Sequence, residues 1–174
     1  MKRTHLRNKD AAGRADFNDI ARLIREARGI VARVFYYKFI EDREEFNTMS
    51  HTAITTTKAP SAIGPYSQAI ALGNTVYTSG MLPIDGEGNL KEGIIDQTHQ
   101  ALKNLQVVLA EAGLSLEDVV KTSVFMTDLE QFQQMNEVYS QYFSDHHPAR
   151  TTVEVSKLPR GARIEIELIA VKRI

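Results

Sequence analysis

"RIEIELIAV" (163–171) is the stretch on which the reading of this chain turns. Arg163, Glu165 and Glu167 fall on one side of it, and Ile164, Ile166 and Leu168 on the other. Alternation with period two belongs to a β-strand, where successive side chains point to opposite faces. Ile169 and Val171 continue the charged side with apolar groups, so both faces of this strand carry hydrophobic surface. Upstream, "RTTVEVSKL" (150–158) has strand composition and leads into this run through Pro159-Arg160-Gly161, a turn. "DVVKTSVFMTD" (118–128) is rich in β-branched residues and reads as another strand. "AIALGNTVYTSG" (69–80) offers two short strands around Gly73-Asn74, a tight hairpin turn, and "GMLPIDGEGNLKEG" (80–93) is loop-like.

Helical spacing occupies the gaps. Thr98, Ala101, Leu102, Leu105, Val108, Leu109 and Ala112 form an apolar stripe, with Gly113 placed as the C′ residue. A second helix is expected after Asp128 as N-cap, with Gln131 three residues on in a capping box. Its buried stripe is Phe132, Met135, Tyr139, Tyr142 and Phe143. The order of strands, helix, strand, helix, strands predicts an α+β domain with one mixed or mostly antiparallel sheet and two helices on one face. Val119, Val120, Val124 and Phe125, with the alternating residues of 163–171, send apolar side chains to both faces. Two helices cover only one, so the other predicts self-association unless the N-terminal segment covers it.

Composition narrows the classes. At 174 residues the chain is long enough for one domain with a substantial core. It has no cysteine, which excludes disulfides, thiolate chemistry and cysteine-based metal sites, and which suits a reducing cytoplasm. No apolar run approaches the ~20 residues that span a bilayer, and the net charge of −1 gives no reason to expect nucleic acid or an anionic membrane as partner. The charge is uneven: residues 1–48 hold 11 Lys and Arg against 8 acids, whereas 49–174 hold 10 against 14, a net of −4. The chain is therefore divided into a basic extension, 1–48, and a main domain, 49–174. Within the extension Phe17, Ile20, Ile24, Ala27, Val31 and Val34 follow helical spacing, weakened by Gly29. Two explanations stay open: a helical appendage, or residues upstream of a true start at Met49.

Few residues advertise chemistry. Glu165 sits either on a solvated outer face or as a carboxylate carried on a rigid strand, as a general base requires. Arg150 either makes an ordinary surface salt bridge or grips an anion in a bidentate fork. His146 and His147 are adjacent on an extended segment, point apart and do not chelate readily, and the other histidines are scattered, so no metal site is expected. Ser79 lies in "YTSGM", outside any G-x-S-x-G context, and Gly80, Gly86, Gly88 and Gly93 do not form a nucleotide loop.

Taken together, "IGPYSQAI" (63–70), "YTSGMLPID" (77–85), "QALKNLQVVLAEAGLSLEDVVKTSVFMTDLEQFQQMNEVY" (100–139) and "PARTTVEVSKLPRGARIEIELIAV" (148–171) resemble RidA-type members of the Rid (YjgF-like) family. The likeness runs from about residue 51 to the C-terminus, and 1–48 has no counterpart. The resemblance implies a chorismate-mutase-like α+β fold assembled as a homotrimer, with the sheets inward as a barrel-like core. It implies active sites in clefts between subunits, hydrolysis of reactive 2-imino acids such as 2-iminobutanoate and 2-iminopropanoate, or their enamines, to 2-oxo acids and ammonia, and no metal or organic cofactor. Arg150 then corresponds to the carboxylate-binding arginine and Glu165 to the glutamate that activates water. The backbone N–H of Thr152 would hold the same carboxylate, Tyr66, Ser79 and Asn136 would line the pocket, and Gly80 would let backbone approach the ligand. Two rivals remain: a non-catalytic trimer that binds small 2-oxo acids or a partner, and an RNA-cleaving or translation-inhibiting protein. The net charge of 49–174 argues against avid RNA binding.

Overall fold

The structure, a computed structural model, describes residues 50–173 together with Arg22. The chain divides into two units, Met1–Met49 and Ser50–Ile174, and the second carries everything that follows. The helix expected within 16–39 lies outside the described residues, Arg22 excepted.

Six strands form one sheet in the order β1-β2-β3-β6-β4-β5. They are β1 (Thr52–Ile54), β2 (Ala69–Leu72), β3 (Thr75–Thr78), β4 (Val119–Met126), β5 (Ala149–Glu154) and β6 (Ile164–Val171). Neighbours are antiparallel except β4 and β5, which run parallel. A parallel pair needs a crossover, here supplied by helix α2 (Phe132–Tyr142); α1 (Gly93–Glu111) precedes β4. The Gly73-Asn74 turn joins Leu72 to Thr75, and Gly73 takes φ 57°, as the first central residue of a II′ hairpin turn must.

The alternation expected of 163–171 is the alternation found. Ile164, Ile166, Leu168 and Ala170 are buried, while Glu165, Glu167, Ile169 and Val171 are partly exposed. On β4, Thr122, Val124 and Met126 join the buried set. Both helices lie on that face: Leu102, Leu105, Val108 and Leu109 of α1 and Met135 and Tyr139 of α2 close a single core with it. The opposite face exposes Leu72, Tyr77 and Val153, and no helix among the described residues covers it.

Helix α1 ends as its sequence predicts. Gly113 adopts φ 71°, its N–H donates to Ala110 O (3.0 Å), and the N–H of Leu114 donates to Leu109 O (2.9 Å), the paired bonds of a Schellman motif. The start of α2 differs from expectation. Asp128 caps a short 3-10 turn, Leu129–Gln131, by accepting from Glu130 N–H, and α2 begins only at Phe132 with no side-chain cap. Gln131 bonds the Asp128 carboxylate at 2.7 Å instead of its backbone N–H, so the capping box does not close. Strand β1, three residues long, is an element that composition did not single out.

Since an L side chain at φ 71° is strained, Gly113→Ala should lower stability by ~1 kcal/mol or more, read from urea unfolding. An unchanged midpoint would show that the αL turn is not required.

Candidate functional site

Glu165 projects from the uncovered face of β6 into a cleft of about 1000 Å³ that also takes in Tyr66, Ser79, Gly80, Glu167 and Arg160. Gly80 packs against the glutamate: a Cβ there would sit 1.8 Å from Glu165 Oε1 and 2.7 Å from its carboxyl carbon, so a larger residue would displace that side chain. Within this chain the backbone of Gly80 lies close to that carboxylate. Ser79 Oγ donates to Ser67 O at 2.6 Å, and Ser79 N–H donates to Gln68 O at 2.9 Å, which fixes the β3 end against the 55–68 segment. Tyr66 stands half-exposed at the cleft wall, its hydroxyl accepting from Ile63 N–H at 3.2 Å. Pro60, Ala62, Ile63, Met81, Leu82 and Ile84 make much of the remaining wall apolar.

Burial raises the Glu165 pKa, and the like charge of Glu167, two residues along the same face, raises it further. A carboxylate with raised pKa holds a proton more strongly than an ordinary glutamate once it has taken one. The solvated-face reading of Glu165 thus gives way to a half-buried carboxyl in a cleft.

Arg150 lies elsewhere. It stands on β5 opposite Thr122 of β4, and Thr122 faces the helices, so Arg150 does too. Its guanidinium carbon lies 4.5 Å from the Tyr139 ring centroid and 5.7 Å from that of Phe132, and Nη2 donates to Asn136 Oδ1 at 2.8 Å. Phe132, Asn136 and Tyr139 are spaced i, i+4 and i+7 along α2, which brings all three onto one helix face. Tyr139 is held in turn by a hydroxyl pair with Thr122 Oγ1 at 2.8 Å; burial raises its pKa against the lowering effects of Thr122 and Arg150. No carboxylate among the described residues lies within ion-pair distance of Arg150. The cation is oriented by π-faces and an amide, with no counter-ion among the described residues.

Thr152, two residues along β5, shares that face. The N–H of Val155 donates to Met126 O at 2.8 Å, so by alternation the N–H and C=O of Arg150, Thr152 and Glu154 point off the free edge of the sheet. Thr152 Oγ1 is buried and has no hydrogen-bond partner.

The seven expected residues thus form two groups. Tyr66, Ser79, Gly80 and Glu165 meet in one cleft; Arg150, Asn136 and Thr152 meet at the β5 edge. Because Glu165 pairs with Phe125 and Arg150 with Thr122, whose side chains leave β4 on opposite sides, one chain does not join the two groups. Their spacing marks Phe132 and Tyr139 only as core residues; the sign that they do more is the polar Asn136 set inside their apolar stripe. His146 is taken up in a contact from Nε2 to the backbone O of Val119.

Comparison with known proteins matches residues 56–172 to the family model described as Endoribonuclease L-PSP. A RutC family protein of Pyrococcus abyssi is 51% identical over 126 residues, 71% of this chain and 99% of that one. The 2-iminobutanoate/2-iminopropanoate deaminase of Mus musculus is 48% identical over 121 residues, 68% of this chain and 90% of that one. The solved structure of Escherichia coli TdcF with bound serine superposes with a TM-score of 0.68 at 42% identity, covering 70% of this chain and 99% of that one.

Thr152→Val keeps the shape of the side chain and replaces an unpartnered hydroxyl with a methyl group. Stability in urea unfolding should hold or rise by up to ~1 kcal/mol; a loss of that size would reveal a partner for the hydroxyl.

Proposed function

Since the chain belongs to the YjgF/Rid family, we propose that it hydrolyses reactive 2-imino acids, or their enamine tautomers, to 2-oxo acids and ammonia, with residues 49–174 as the deaminase domain. What carries this reading is Glu165, a raised-pKa carboxylate wedged against Gly80 in an otherwise largely apolar cleft. The deaminase name borne by the mouse relative supports it, as does the serine held by TdcF, a small molecule with a carboxylate like that of an imino acid.

The chemistry follows from the substrate. A protonated imine carbon is electrophilic, and its neighbouring carboxylate needs a cation. Arg150, pre-oriented by Phe132, Asn136 and Tyr139, supplies a fork that two carboxylate oxygens fit, and the outward N–H of Thr152 adds a third donor. Water attacks the C=N carbon, Glu165 takes one of its protons, and the π pair moves to nitrogen. Return of that proton to nitrogen makes ammonia a leaving group: the hydroxyl lone pair forms the C=O bond as the C–N bond breaks, the hydroxyl proton passes to Glu165, and the 2-oxo acid remains. A positioned general base contributes ~10²–10⁴-fold.

Arg150 and Glu165 occupy opposite faces of their own sheet, so the complete site takes Arg150 from one copy and Glu165 from the next. We take the assembly to be a homotrimer with the uncovered sheet faces inward; Leu72, Tyr77 and Val153 are the apolar groups such packing would bury. The family model's description raises RNA cleavage as a second reading. Glu165 and Glu167 in the cleft and a net charge of −4 over 49–174 set an unfavourable field for polyphosphate.

Co-expression of Arg150→Ala with Glu165→Gln tests the shared site. Each variant alone should be inactive in trapping assays with 2-iminobutanoate generated in situ. Statistically mixed trimers should recover about a quarter of the unaltered rate, because one site in each mixed trimer is intact. No recovery, with both variants folded and co-purifying, would place Arg150 and Glu165 in the same copy.

Acidity gives a second test. Glu165 must be ionised to accept a proton, so kcat/KM should climb with pH through a limb above the ordinary glutamate range. Glu167→Gln removes the like charge and should move that limb to lower pH. The sign for stability is opposite to that of a paired carboxylate: a raised folded-state pKa favours folding below the unfolded value, and that contribution is lost as pH rises through the folded value. Glu165→Gln should accordingly be the more stable protein at pH 7.

A further inference from the structure

We propose that Gln68 is a positioning residue for this cleft: its buried amide clamps the 56–66 loop into the wall that faces Glu165 and thereby sets how firmly substrate is held. The inference rests on the deaminase reading for its kinetic arm only.

Gln68 is 4% exposed, and its side chain meets only backbone. Oε1 accepts from Thr56 N–H at 2.7 Å. Nε2 donates to Pro60 O at 2.8 Å and Thr56 O at 3.1 Å, with Ala59 O at 3.4 Å sharing one of its two hydrogens. One amide therefore ties both ends of the 56–60 segment to the start of β2. No helix or strand runs from residue 55 to 68, so no ladder performs this task. Apolar burial contributes at Ala59, 5% exposed, and ends there: within one copy Ile63 is 71% and Tyr66 52% exposed.

Beyond the clamp the loop is folded on itself. Tyr66 N–H donates to Gly64 O at 2.8 Å, and its hydroxyl accepts from Ile63 N–H, which makes 63–66 a unit that moves with its anchor. Pro60, Ala62, Ile63 and Tyr66 line the same cleft as Glu165. The charged and titratable groups there are Glu167 on β6, Tyr66 on the loop and Arg160 on the turn before β6. With the clamp released, the loop moves away, water reaches Glu165 and the substrate loses one wall.

Gln68→Met keeps the length and approximate volume and removes every polar bond; Gln68→Asn keeps an amide that is one methylene too short. KM should rise ~10-fold in the methionine variant and less in the asparagine variant, with kcat changed less than KM. The acid limb of kcat/KM, and the Glu165 carboxyl titration followed by carbon NMR, should fall toward the ordinary glutamate range. A lower melting temperature with KM and the Glu165 titration both unmoved would overturn the proposal and leave Gln68 as a folding residue alone. If the unaltered protein hydrolyses no imine, the deaminase reading fails while the titration still decides the clamp. Hydrogen exchange on the unaltered protein needs no variant: Thr56 N–H should exchange within ~10-fold of core amides such as Ile166. Exchange at exposed-loop rates would equally overturn the clamp.

Discussion

Successive side chains of a strand leave it in opposite directions, and this constraint governs the whole domain. Once Ile164, Ile166 and Leu168 are committed to the core beneath α1 and α2, Glu165 and Glu167 have to emerge on the other face. The same rule on β5, read through its register with β4, sends Arg150 toward the helices. Cation and carboxylate end up with a sheet between them, so the chemistry that each suggests is incomplete within one chain. The association inferred from exposed apolar surface and the site inferred from residue chemistry therefore rest on one geometric cause.

Buried amides pin the irregular segments in and around the cleft. Gln68 ties the 56–60 backbone, Asn104 donates to Leu82 O and Ile84 O, and Gln97 joins Lys91 O to the N–H of Arg163 just before β6. Each is almost fully buried and bonds loop backbone, Asn104 through its Nδ2 alone, since its Oδ1 accepts from Gln100 Nε2. The helices and strands thus form a frame, and three side chains pin irregular segments to it.

The frame was legible because its signals are periodic. Alternation identified β6 and β4, the stripe ending at Gly113 identified α1, and Gly73-Asn74 marked the hairpin. Strand β1 was not legible: it is three residues long and is a strand only by pairing with β2. Asp128 was correctly read as a cap, but a cap signal does not say whether a 3-10 turn or an α-helix follows. Arg150 and Glu165 stood out by chemical type, whereas their surroundings did not. Phe132 and Tyr139 keep the spacing of core residues while flanking a guanidinium, and Gln68 carries the hydrophilicity of a surface residue while buried. Periodicity reports which way a side chain faces and is silent about the backbone atom or ring it meets there.

Thr152 carries a last consequence. It neighbours the arginine of the proposed site, in a chain without a single thiol. The imine tautomer is electrophilic at its C=N carbon, and a cysteine at that position would offer it a thiolate to add, as well as a sulfur for peroxide to oxidise. A threonine does neither at ordinary pH. The proposed pocket thereby offers no thiol either to the molecules it is proposed to destroy or to peroxide.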